Sequence, residues 1–323
     1  MPWPSPRTRI APIQPWPALL VACTLLGVPC LRDLSTLHAA AADINELWQE
    51  PTGLERRDLS IGPWGAQNAP DPNTTYTFVK PKRRGSSPGL TVTDPQGRRW
   101  HVKQGREASP ETLVSHVLSA LGYHQPPVYF LPRFKLAKGS GVSQVEGGRF
   151  RLSHPSLHNQ GPWRWEENPL AGTKPYRALL VILVMFNSAD LKNSNNTIYE
   201  WRPPDGPSRR MYVVRDLGIS LGATGRFDPS PNKPDVFERR AFITGIKNGF
   251  VEFDYHAVHG DLVRQRITPD DVRWASLLVG RLTEAQWNAA FRGAGYEPAA
   301  AERFIRRLQQ KIREGAALAD TTG

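Results

Sequence analysis

The sequence predicts an α+β fold in which a strand-rich first half precedes a mainly helical second half. In the first half, short apolar segments alternate with turn residues, and one amphipathic helix interrupts them. The second half has apolar residues at helical spacing, interrupted by a strand hairpin. The chain has 323 residues, 39% of them hydrophobic, and 10 tryptophans, which is enough apolar material for a large buried core.

The first half is expected to follow an irregular lead-in at residues 43–73, which contains many prolines and glycines. Three strands come next, at residues 75–79, 90–94 and 99–103. A helix then opens with Ser109 as its N-cap and Pro110 in its first turn, and Gly122 ends it. Two short strands complete this half, at residues 128–131 and 134–136.

The second half is expected to open with a loop at residues 138–165, with a possible strand at 149–152. A helix over residues 173–186 has Pro175 in its first turn. The strand hairpin, whose turn contains proline and glycine, covers residues 197–201 and 211–214. Further helices are expected at residues 235–246, 269–282, 284–292 and 298–314.

The basic composition favours an acidic partner. The formal net charge is +11, and the 41 Lys and Arg residues are spread along the chain. Such a charge suits nucleotide phosphates, anionic lipid, an acidic polymer or nucleic acid. The basic side chains of the last predicted helix are Arg303, Arg306, Arg307, Lys311 and Arg313. No aromatic residues alternate with them on one face, so we expect a solvated basic face, and a nucleic acid partner is disfavoured.

The first 42 residues have the features of an export signal. Arg7 and Arg9 precede a mostly apolar stretch at residues 18–31, and the alanines at residues 39–42 suit cleavage before Asp43. We therefore expect a periplasmic or secreted protein, or a cytoplasmic one if this signal is misread. The apolar stretch is shorter than the ~20 residues that span a bilayer, so no transmembrane segment is expected in the mature chain.

Both cysteines, Cys23 and Cys30, lie within this signal. Its removal would leave the mature chain without a thiol, and hence without a disulfide or a cysteine-ligated zinc ion. Lipoprotein processing at Cys23 stays open as an alternative, because Leu20, Val21 and Ala22 precede that residue.

The most informative segment has the sequence Asp-Leu-Lys-Asn-Ser-Asn from Asp190 to Asn195, and an Asp-Leu-Gly segment follows at Asp216. This order of side chains suits phosphoryl transfer. Asp190 can orient a hydroxyl group, and Lys192 can neutralise a phosphate. Asn195 and Asp216 can hold magnesium through their oxygen atoms. The predicted hairpin lies between the two segments, and this context supports treating them as one site.

Together with these segments, the order of strands and helices resembles the protein-kinase-like fold. It is most similar in kind to atypical branches, such as the HipA-like and phosphoinositide-kinase-like enzymes. The resemblance spans residues 74–315, and its specific motifs are a lysine at the end of a strand and the two segments above. It implies a two-lobed kinase-like fold, with a strand-rich N-lobe at residues 74–137 and a mainly helical C-lobe at residues 138–323.

By this resemblance, Lys103 would contact the α- and β-phosphates of ATP. Glu111 on the following helix would pair with Lys103, and Glu107 is a rival for that pairing. Asp190 matches the acid that orients the acceptor hydroxyl and accepts its proton. Lys192 would stabilise the charge of the phosphoryl group during transfer.

The resemblance also implies a Mg²⁺ site formed by Asn195 and Asp216, with Asn196 as a rival for Asn195. Ser86 and Ser87 lie in a Gly-Ser-Ser-Pro-Gly segment ahead of the strand lysine. This segment is the candidate cover for the phosphates of the nucleotide.

The sequence departs from protein kinases at several points. Ser188 and Ala189 stand where those enzymes usually have His-Arg, no G-x-G-x-x-G precedes Lys103, and no A-P-E follows Gly218. Three functions therefore stay open. The first is an atypical kinase that uses ATP and Mg²⁺ to phosphorylate an unknown hydroxyl acceptor, either a protein or a small molecule. The others are an inactive kinase-fold module that binds a nucleotide or acidic partner, and a basic binding protein of the cell envelope.

Overall fold

The computed structural model describes residues 43–82, 87–225 and 230–318. The predicted export signal with both cysteines, and Ser86 of the predicted phosphate cover, lie outside these residues. The described residues contain ten β-strands and six α-helices, which confirms the predicted mixed α/β composition. None of the helices in these three stretches is long and apolar enough to cross a lipid bilayer.

The first half of the chain forms a closed five-stranded barrel. Its strands are β1 (Thr75–Pro81), β2 (Gly89–Thr93), β3 (Arg99–Lys103), β4 (Val128–Lys138) and β5 (Gly141–Leu152). Their order is β1-β2-β3-β5-β4, and β1 closes the barrel by pairing in parallel with β4. Alternate side chains point inward, and the interior includes Tyr76, Val92, Trp100, Phe134 and Phe150. The first three predicted strands are confirmed.

Strand β5 occupies a region that was predicted to be mainly loop, and this prediction was wrong. β4 and β5 form one long hairpin, and β4 replaces the two short strands expected there. Gly147 and Gly148 make the segment look irregular in the sequence. A Cβ on Gly147 would lie 1.6 Å from the carbonyl oxygen of Leu131, so glycine is required where β4 passes close by. β5 therefore belongs to the barrel, although it follows residue 137.

Helix α1 (Ala108–Ala120) packs against β4 and β5. The prediction of Ser109 as the N-cap was wrong, because the helix begins at Ala108 and Glu107 takes the N-cap position. Pro110 lies in the first turn, as predicted. With Glu107 at the N-cap and Glu111 in the first turn, both carboxylates lie next to the end of β3.

The second half is built on helices α2 (Lys174–Met185), α4 (Pro269–Val279), α5 (Glu284–Gly293) and α6 (Pro298–Ala316). These agree with four of the predicted helices, and threonine side chains cap the first three at Thr173, Thr268 and Thr283. Helix α4 packs against both α2 and α6. The apolar side chains of α2 are buried in the main core, together with those of α1 and α5.

The second half also contains a three-stranded sheet, with one strand before α2 in the chain and two after it. Its strands are β6 (Leu157–Gly161), β7 (Asn196–Trp201) and β8 (Arg209–Val214), in the order β6-β7-β8. β7 and β8 are the predicted hairpin, whereas β6 lies in the region that was predicted to be loop. The pairing of β7 with β8 brings residue 196 opposite residue 214. The two segments expected to form the phosphate site therefore meet at the same end of the hairpin.

The prediction of a helix over residues 235–246 was wrong beyond its first turns. Helix α3 (Pro234–Arg239) is short, and it is followed by strands β9 (Ile243–Lys247) and β10 (Phe250–Phe253). Asn248 and Gly249 connect the two strands, with φ angles of 51° and 79°. An Asn-Gly pair with positive φ at both residues is the favoured two-residue hairpin turn. This local signal should have outweighed the apolar spacing of the segment.

Two further regions complete the fold. Residues 43–73 form three short 3₁₀ turns, and Leu47, Leu54 and Leu59 anchor them in the main core. On α6 the expected solvated basic face is wrong for Lys311, which is fully buried. The Nζ atom of Lys311 donates to the Met185 carbonyl oxygen and to Oδ1 of Asn187, both at 2.9 Å.

Candidate functional site

The site is built around Lys103, the last residue of β3. Because Trp100 and Val102 point into the barrel, Lys103 points out of it, toward the start of α1. Its Nζ atom lies 2.7 Å from Oε2 of Glu111 and 3.0 Å from Oε2 of Glu107. Both candidate partners from the sequence therefore contact the lysine.

A third carboxylate, that of Asp216, contacts the Nζ atom of Lys103 from the other half of the chain. Lys103 is 2% exposed, so these carboxylates surround an almost completely buried cation. Burial opposes the positive charge, but Glu111 and Asp216 outweigh it and raise the pKa of Lys103 above its ordinary value. Lys103 is therefore charged at neutral pH.

Arg149 of β5 also contacts Glu111 and so stabilises this arrangement. It is the cross-strand neighbour of Lys103, and its Nε atom lies 3.0 Å from Oε1 of Glu111. Its guanidinium also donates to the carbonyl oxygen of His101 at 2.8 Å. Burial favours the neutral acid at Glu111, but Arg149 and Lys103 outweigh it and lower the pKa of Glu111 to about 2. One buried carboxylate thus joins two buried cations.

The second part of the site is the segment from Asp190 to Asn195, which follows α2. The Nζ atom of Lys192 lies 2.9 Å from Oδ1 of Asp190. The Asn195 amide nitrogen donates to the backbone carbonyl oxygen of Asp190 at 2.9 Å. Asn196, the alternative to Asn195, begins β7, and its buried amide has no hydrogen-bond partner among the described residues.

Backbone hydrogen bonds hold the two motif segments side by side. The N–H of Ala189 donates to the carbonyl oxygen of Ile219 at 2.9 Å, and the N–H of Arg215 donates to that of Asn195 at 3.3 Å. A continuous path therefore runs from Lys103 through Asp216 to Asn195 and Asp190. These contacts bring together the residues singled out in the sequence, except Ser87, which makes none of them, and Ser86, which lies outside the described residues.

The Asp216–Gly218 turn is set by backbone conformation and by close approach. Asp216 has a φ of 59°, in the left-handed region that non-glycine residues rarely adopt. A Cβ on Gly218 would lie 2.6 Å from the Cβ of Glu107 and 2.8 Å from its carbonyl oxygen. Glycine at residue 218 thus allows the turn to approach α1, which brings Asp216 to Lys103.

Buried hydroxyl groups hold the same turn in place through hydrogen bonds. The hydroxyls of Ser188 and Ser220 lie 2.6 Å apart, and that of Ser220 donates to the Leu217 carbonyl oxygen at 2.8 Å. Tyr255 donates its hydroxyl to the carbonyl oxygen of Ser188. Burial, together with the nearby charge of Asp190, raises the pKa of Tyr255 well above its ordinary value. Ser188, which departs from the kinase pattern, here connects the two motif segments.

A cavity of about 420 Å³ opens beside Lys103, between strands β1, β2, β3 and β5. Sequence analysis missed several of its cations, which include Lys82, Arg149 and Arg151. The alternation of Arg149 and Arg151 with the apolar Phe150 and Leu152 was a usable signal, since it places both arginines on one face of a strand. Lys82 follows β1, and its Nζ atom donates to the Ser87 carbonyl oxygen at 3.1 Å.

The donor atoms suit Mg²⁺ only if a ligand supplies further oxygens. The described residues contain no group of three or more His, Cys, Asp or Glu that could hold a metal ion. Asp216 offers a carboxylate, 43% exposed as a side chain, and Asn195 has its amide oxygen left after its nitrogen has donated. Mg²⁺ in phosphate sites is commonly held by one or two protein side chains plus phosphate oxygens and water. The two residues fit that pattern.

Comparison with solved structures gives distant similarities, two of them to kinases. No protein-family model and no curated protein match the chain. The fold is similar to the Helicobacter pylori proinflammatory kinase CtkA, with 9% identity over 77% of this chain and 99% of that one and a TM-score of 0.41. It is also similar to the Rio2 kinase of Chaetomium thermophilum, solved with ADP/Mg²⁺ and phosphoaspartate, with 16% identity over 74% and 71% and a TM-score of 0.31. Both values are low, and any functional assignment therefore rests on the site itself.

Proposed function

We propose that the protein is a kinase-like phosphotransferase that moves the terminal phosphoryl group of ATP to a hydroxyl group of an acceptor. The observation that carries this proposal is the position of Lys103, which Glu111 holds while Asp216 contacts it from the second motif segment. In this proposal the barrel and α1 form the smaller lobe of a two-lobed kinase-like fold, and the helical half forms the larger one. The export signal expected in residues 1–42 would place the activity outside the cytoplasm.

The proposed reaction needs few groups, because phosphoryl transfer depends mainly on positioning and charge neutralisation. The acceptor oxygen forms a bond to phosphorus while the bond from phosphorus to the bridging oxygen breaks. The electron pair of the broken bond stays on the departing ADP, and the hydroxyl proton passes to the carboxylate of Asp190. Lys192, now 2.9 Å from that carboxylate, would neutralise the phosphoryl group in transfer.

The remaining residues would hold the phosphates. Lys103 would bind the α- and β-phosphates, fixed by Glu111 and Arg149. Mg²⁺ held by Asn195 and Asp216 would supply positive charge against the phosphate oxygens. Because Oδ1 of Asp216 contacts Lys103, binding of the metal ion would use the other carboxylate oxygen or replace that contact. The partial exposure of the Asp216 side chain, 43%, leaves room for either arrangement.

A second candidate is an inactive kinase-fold module that binds a nucleotide or an acidic partner. The direct contact between Lys103 and Oδ1 of Asp216 favours it, because the two charges offset each other and both groups already have a partner. The two candidates differ in whether phosphate is transferred. They agree on the location of the site.

Radiolabelled ATP carrying the label on its γ-phosphate separates these candidates. Purified protein with Mg²⁺ should transfer the label to itself or to an added hydroxyl acceptor, and thermal shift should report nucleotide binding. Asp190→Asn should keep the thermal shift and abolish transfer, whereas Asp216→Asn should abolish the Mg²⁺-dependent part of the shift. Asp205→Asn, in the exposed hairpin turn, is the matched control and should change neither. Binding without any transfer by the unaltered chain would favour the inactive module.

A further inference from the structure

A row of polar and cationic side chains crosses four strands of the barrel next to the site. Lys80 on β1 is paired with Thr91 on β2, Thr91 with His101 on β3, and His101 with Arg151 on β5. We call these four residues the cationic row. It runs beside Lys103 and Arg149, which are paired with each other two residues away along β3 and β5.

The cationic row points away from the barrel interior. Val92, Trp100 and Phe150, each adjacent in sequence to a member of the row, are buried in the barrel core. On β1 the register shifts between Phe78 and Lys80, and this β-bulge aligns Lys80 with the outward-facing Thr91. All four side chains therefore line the 420 Å³ cavity, together with Lys82.

The positive charge of the cavity is only partly compensated. The ion pairs at this end of the barrel all involve Lys103 or Arg149. Among the described residues, no carboxylate lies at ion-pair distance from Lys80, Lys82 or Arg151. Burial, with the charges of Arg151 and other nearby cations, lowers the pKa of His101 to about 4, so its ring is neutral at pH 7. The outer part of the cavity is thus left with unmatched cations and neutral hydrogen-bonding groups.

The same lining is poorly suited to a purine base. Ligand pockets for flat apolar rings are lined mainly by apolar and aromatic side chains. The apolar residues around this cavity are Pro81, Leu90 and Val102. Val102 belongs to the barrel core and Leu90 packs against it, so their side chains point away from the cavity. No Phe, Tyr or Trp is among the described lining residues, so a base would meet mainly the aliphatic stems of lysine and arginine side chains.

We infer that this cavity binds a linear phosphoanhydride chain and makes no specific contact with a base. The inference rests on the proposed phosphotransferase function. It adds that the enzyme recognises its phosphoryl donor by the phosphate chain and not by the base. Neighbouring strands lie about 4.8 Å apart, so the cationic row covers roughly 14 Å of barrel wall, enough for several linked phosphates. The chain can belong to a nucleoside triphosphate or to an inorganic polyphosphate, since both present the same row of anionic oxygens.

Isothermal titration calorimetry in the presence of Mg²⁺ tests this inference with four probes: tripolyphosphate, ATP, GTP and adenosine. We expect the first three to bind within about threefold of one another, and adenosine to give no heat of binding. Arg151→Gln and Lys80→Gln should each weaken tripolyphosphate binding about tenfold, as expected for a lost charge-assisted hydrogen bond. Lys135→Gln is the matched control, because Lys135 is an exposed lysine on β4 of the same barrel, outside the cavity.

Adenosine binding, or ATP binding more than about tenfold tighter than tripolyphosphate, would overturn the inference while leaving the phosphotransferase proposal intact. Binding of tripolyphosphate that Arg151→Gln and Lys80→Gln leave unchanged would overturn it as well. Lys80 is exposed on β1, so Lys80→Gln is expected to fold. It therefore still tests the inference if Arg151→Gln does not fold. Base-independent binding through the cationic row without transfer from any donor would instead contradict the proposed function alone. Transfer of a phosphoryl group from ATP alone would identify a nucleoside triphosphate as the source of the phosphate chain. Transfer from tripolyphosphate as well would show that an inorganic polyphosphate also serves as the source.

Discussion

Two lysines are almost completely buried in the part of the chain that the structure describes, and their surroundings are opposite. Lys103 is 2% exposed and Lys311 is 0% exposed. Lys103 contacts three carboxylates, from α1 and from the second motif segment. Lys311 donates to two uncharged oxygen atoms at the end of α2 and lies 4.1 Å from the centre of the Phe237 ring.

The difference between the two lysines shows what burial does by itself. Burial disfavours the charged form of any lysine. At Lys311 burial dominates and lowers the pKa well below its ordinary value, whereas at Lys103 the carboxylates reverse that effect. Of these two lysines, Lys103 is the one whose buried positive charge is stabilised by carboxylates in direct contact with it. Charge at Lys103 is what a phosphate site requires.

Removing the carboxylate that joins Lys103 to Arg149 should have the largest effect. Glu111→Gln leaves these two cations buried close together without the negative charge between them. Removing one partner of a buried ion pair costs about 3–5 kcal/mol, and we expect a loss of unfolding free energy in that range. Urea denaturation at pH 7, followed by circular dichroism, measures it.

Glu284→Gln is the matched control for this change. Glu284 is also a first-turn glutamate, on α5, but it is exposed. Its substitution should alter the unfolding free energy by less than about 0.5 kcal/mol. Equally small losses for both variants would show that Glu111 only complements the helix dipole, as any first-turn acid does.

The third carboxylate at Lys103 depends on a glycine, so Gly218→Ala is expected to separate Asp216 from Lys103. The added Cβ would lie 2.6 Å from the Cβ of Glu107, which forces the turn away from α1. We expect a loss of about 1–3 kcal/mol, as for other overpacked sites, and a larger relative loss of Mg²⁺-dependent nucleotide binding.

Gly141→Ala serves as its control. The nearest atom to a Cβ there is the Lys138 carbonyl oxygen at 3.8 Å, an ordinary contact. Thermal melts and the Mg²⁺-dependent shift on adding ATP should be unchanged in this variant. If Gly218→Ala behaves in the same way, the close approach of the turn does not set the position of Asp216.

Substituting Lys311, which donates only to uncharged oxygen atoms, should lower the unfolding free energy less than substituting Glu111 does. Lys311→Met leaves the Met185 carbonyl and the Asn187 amide oxygen without their donor, but it also removes a buried amine. We expect a net loss of about 1 kcal/mol, measured by urea denaturation at pH 7. Lys135→Met, on the outside of β4, should be neutral. A loss as large as that of Glu111→Gln would mean that Lys311 carries a full charge with strong partners.

Much of the fold could be predicted because its signals are local. The threonine caps at Thr173, Thr268 and Thr283, and the apolar spacing after each, identify three helices without knowledge of their neighbours. β5 could not be found in this way. Its Gly147 is required by the approach of β4, and that contact is visible only in the folded chain.

The site was predictable to a similar extent. Asp190, Lys192, Asn195 and Asp216 stand in two short segments whose order is itself informative. Their joining to Lys103 depends on the packing of the Asp216 turn against α1, which no local pattern records. The burial of Lys311 is another nonlocal result, because its acceptors come from the end of α2, far away in sequence.

The remaining expected effects are pH-dependent, and their signs separate the two lysine environments. Glu111 has a pKa of about 2 in the folded chain against an ordinary 4.5, so its contribution to stability is present above pH 4.5 and is lost toward pH 2. Lys311 has a pKa well below its ordinary 10.5. The unfolded chain then binds a proton that the folded chain lacks, and stability rises with pH up to about 10.5.

Unfolding free energies measured across pH for the unaltered chain and both variants test these signs. Relative to the unaltered chain, Glu111→Gln should lose less stability as the pH falls from 4.5 to 2. Lys311→Met should gain less stability than the unaltered chain as the pH rises from 7 toward 10.5. Each difference is limited to about 1.4 kcal/mol per pH unit, because one proton is involved. An alkaline slope that Lys311→Met leaves unchanged would mean that Lys311 keeps its proton in the fold, and that its two oxygen acceptors and the Phe237 ring stabilise a charge without any carboxylate.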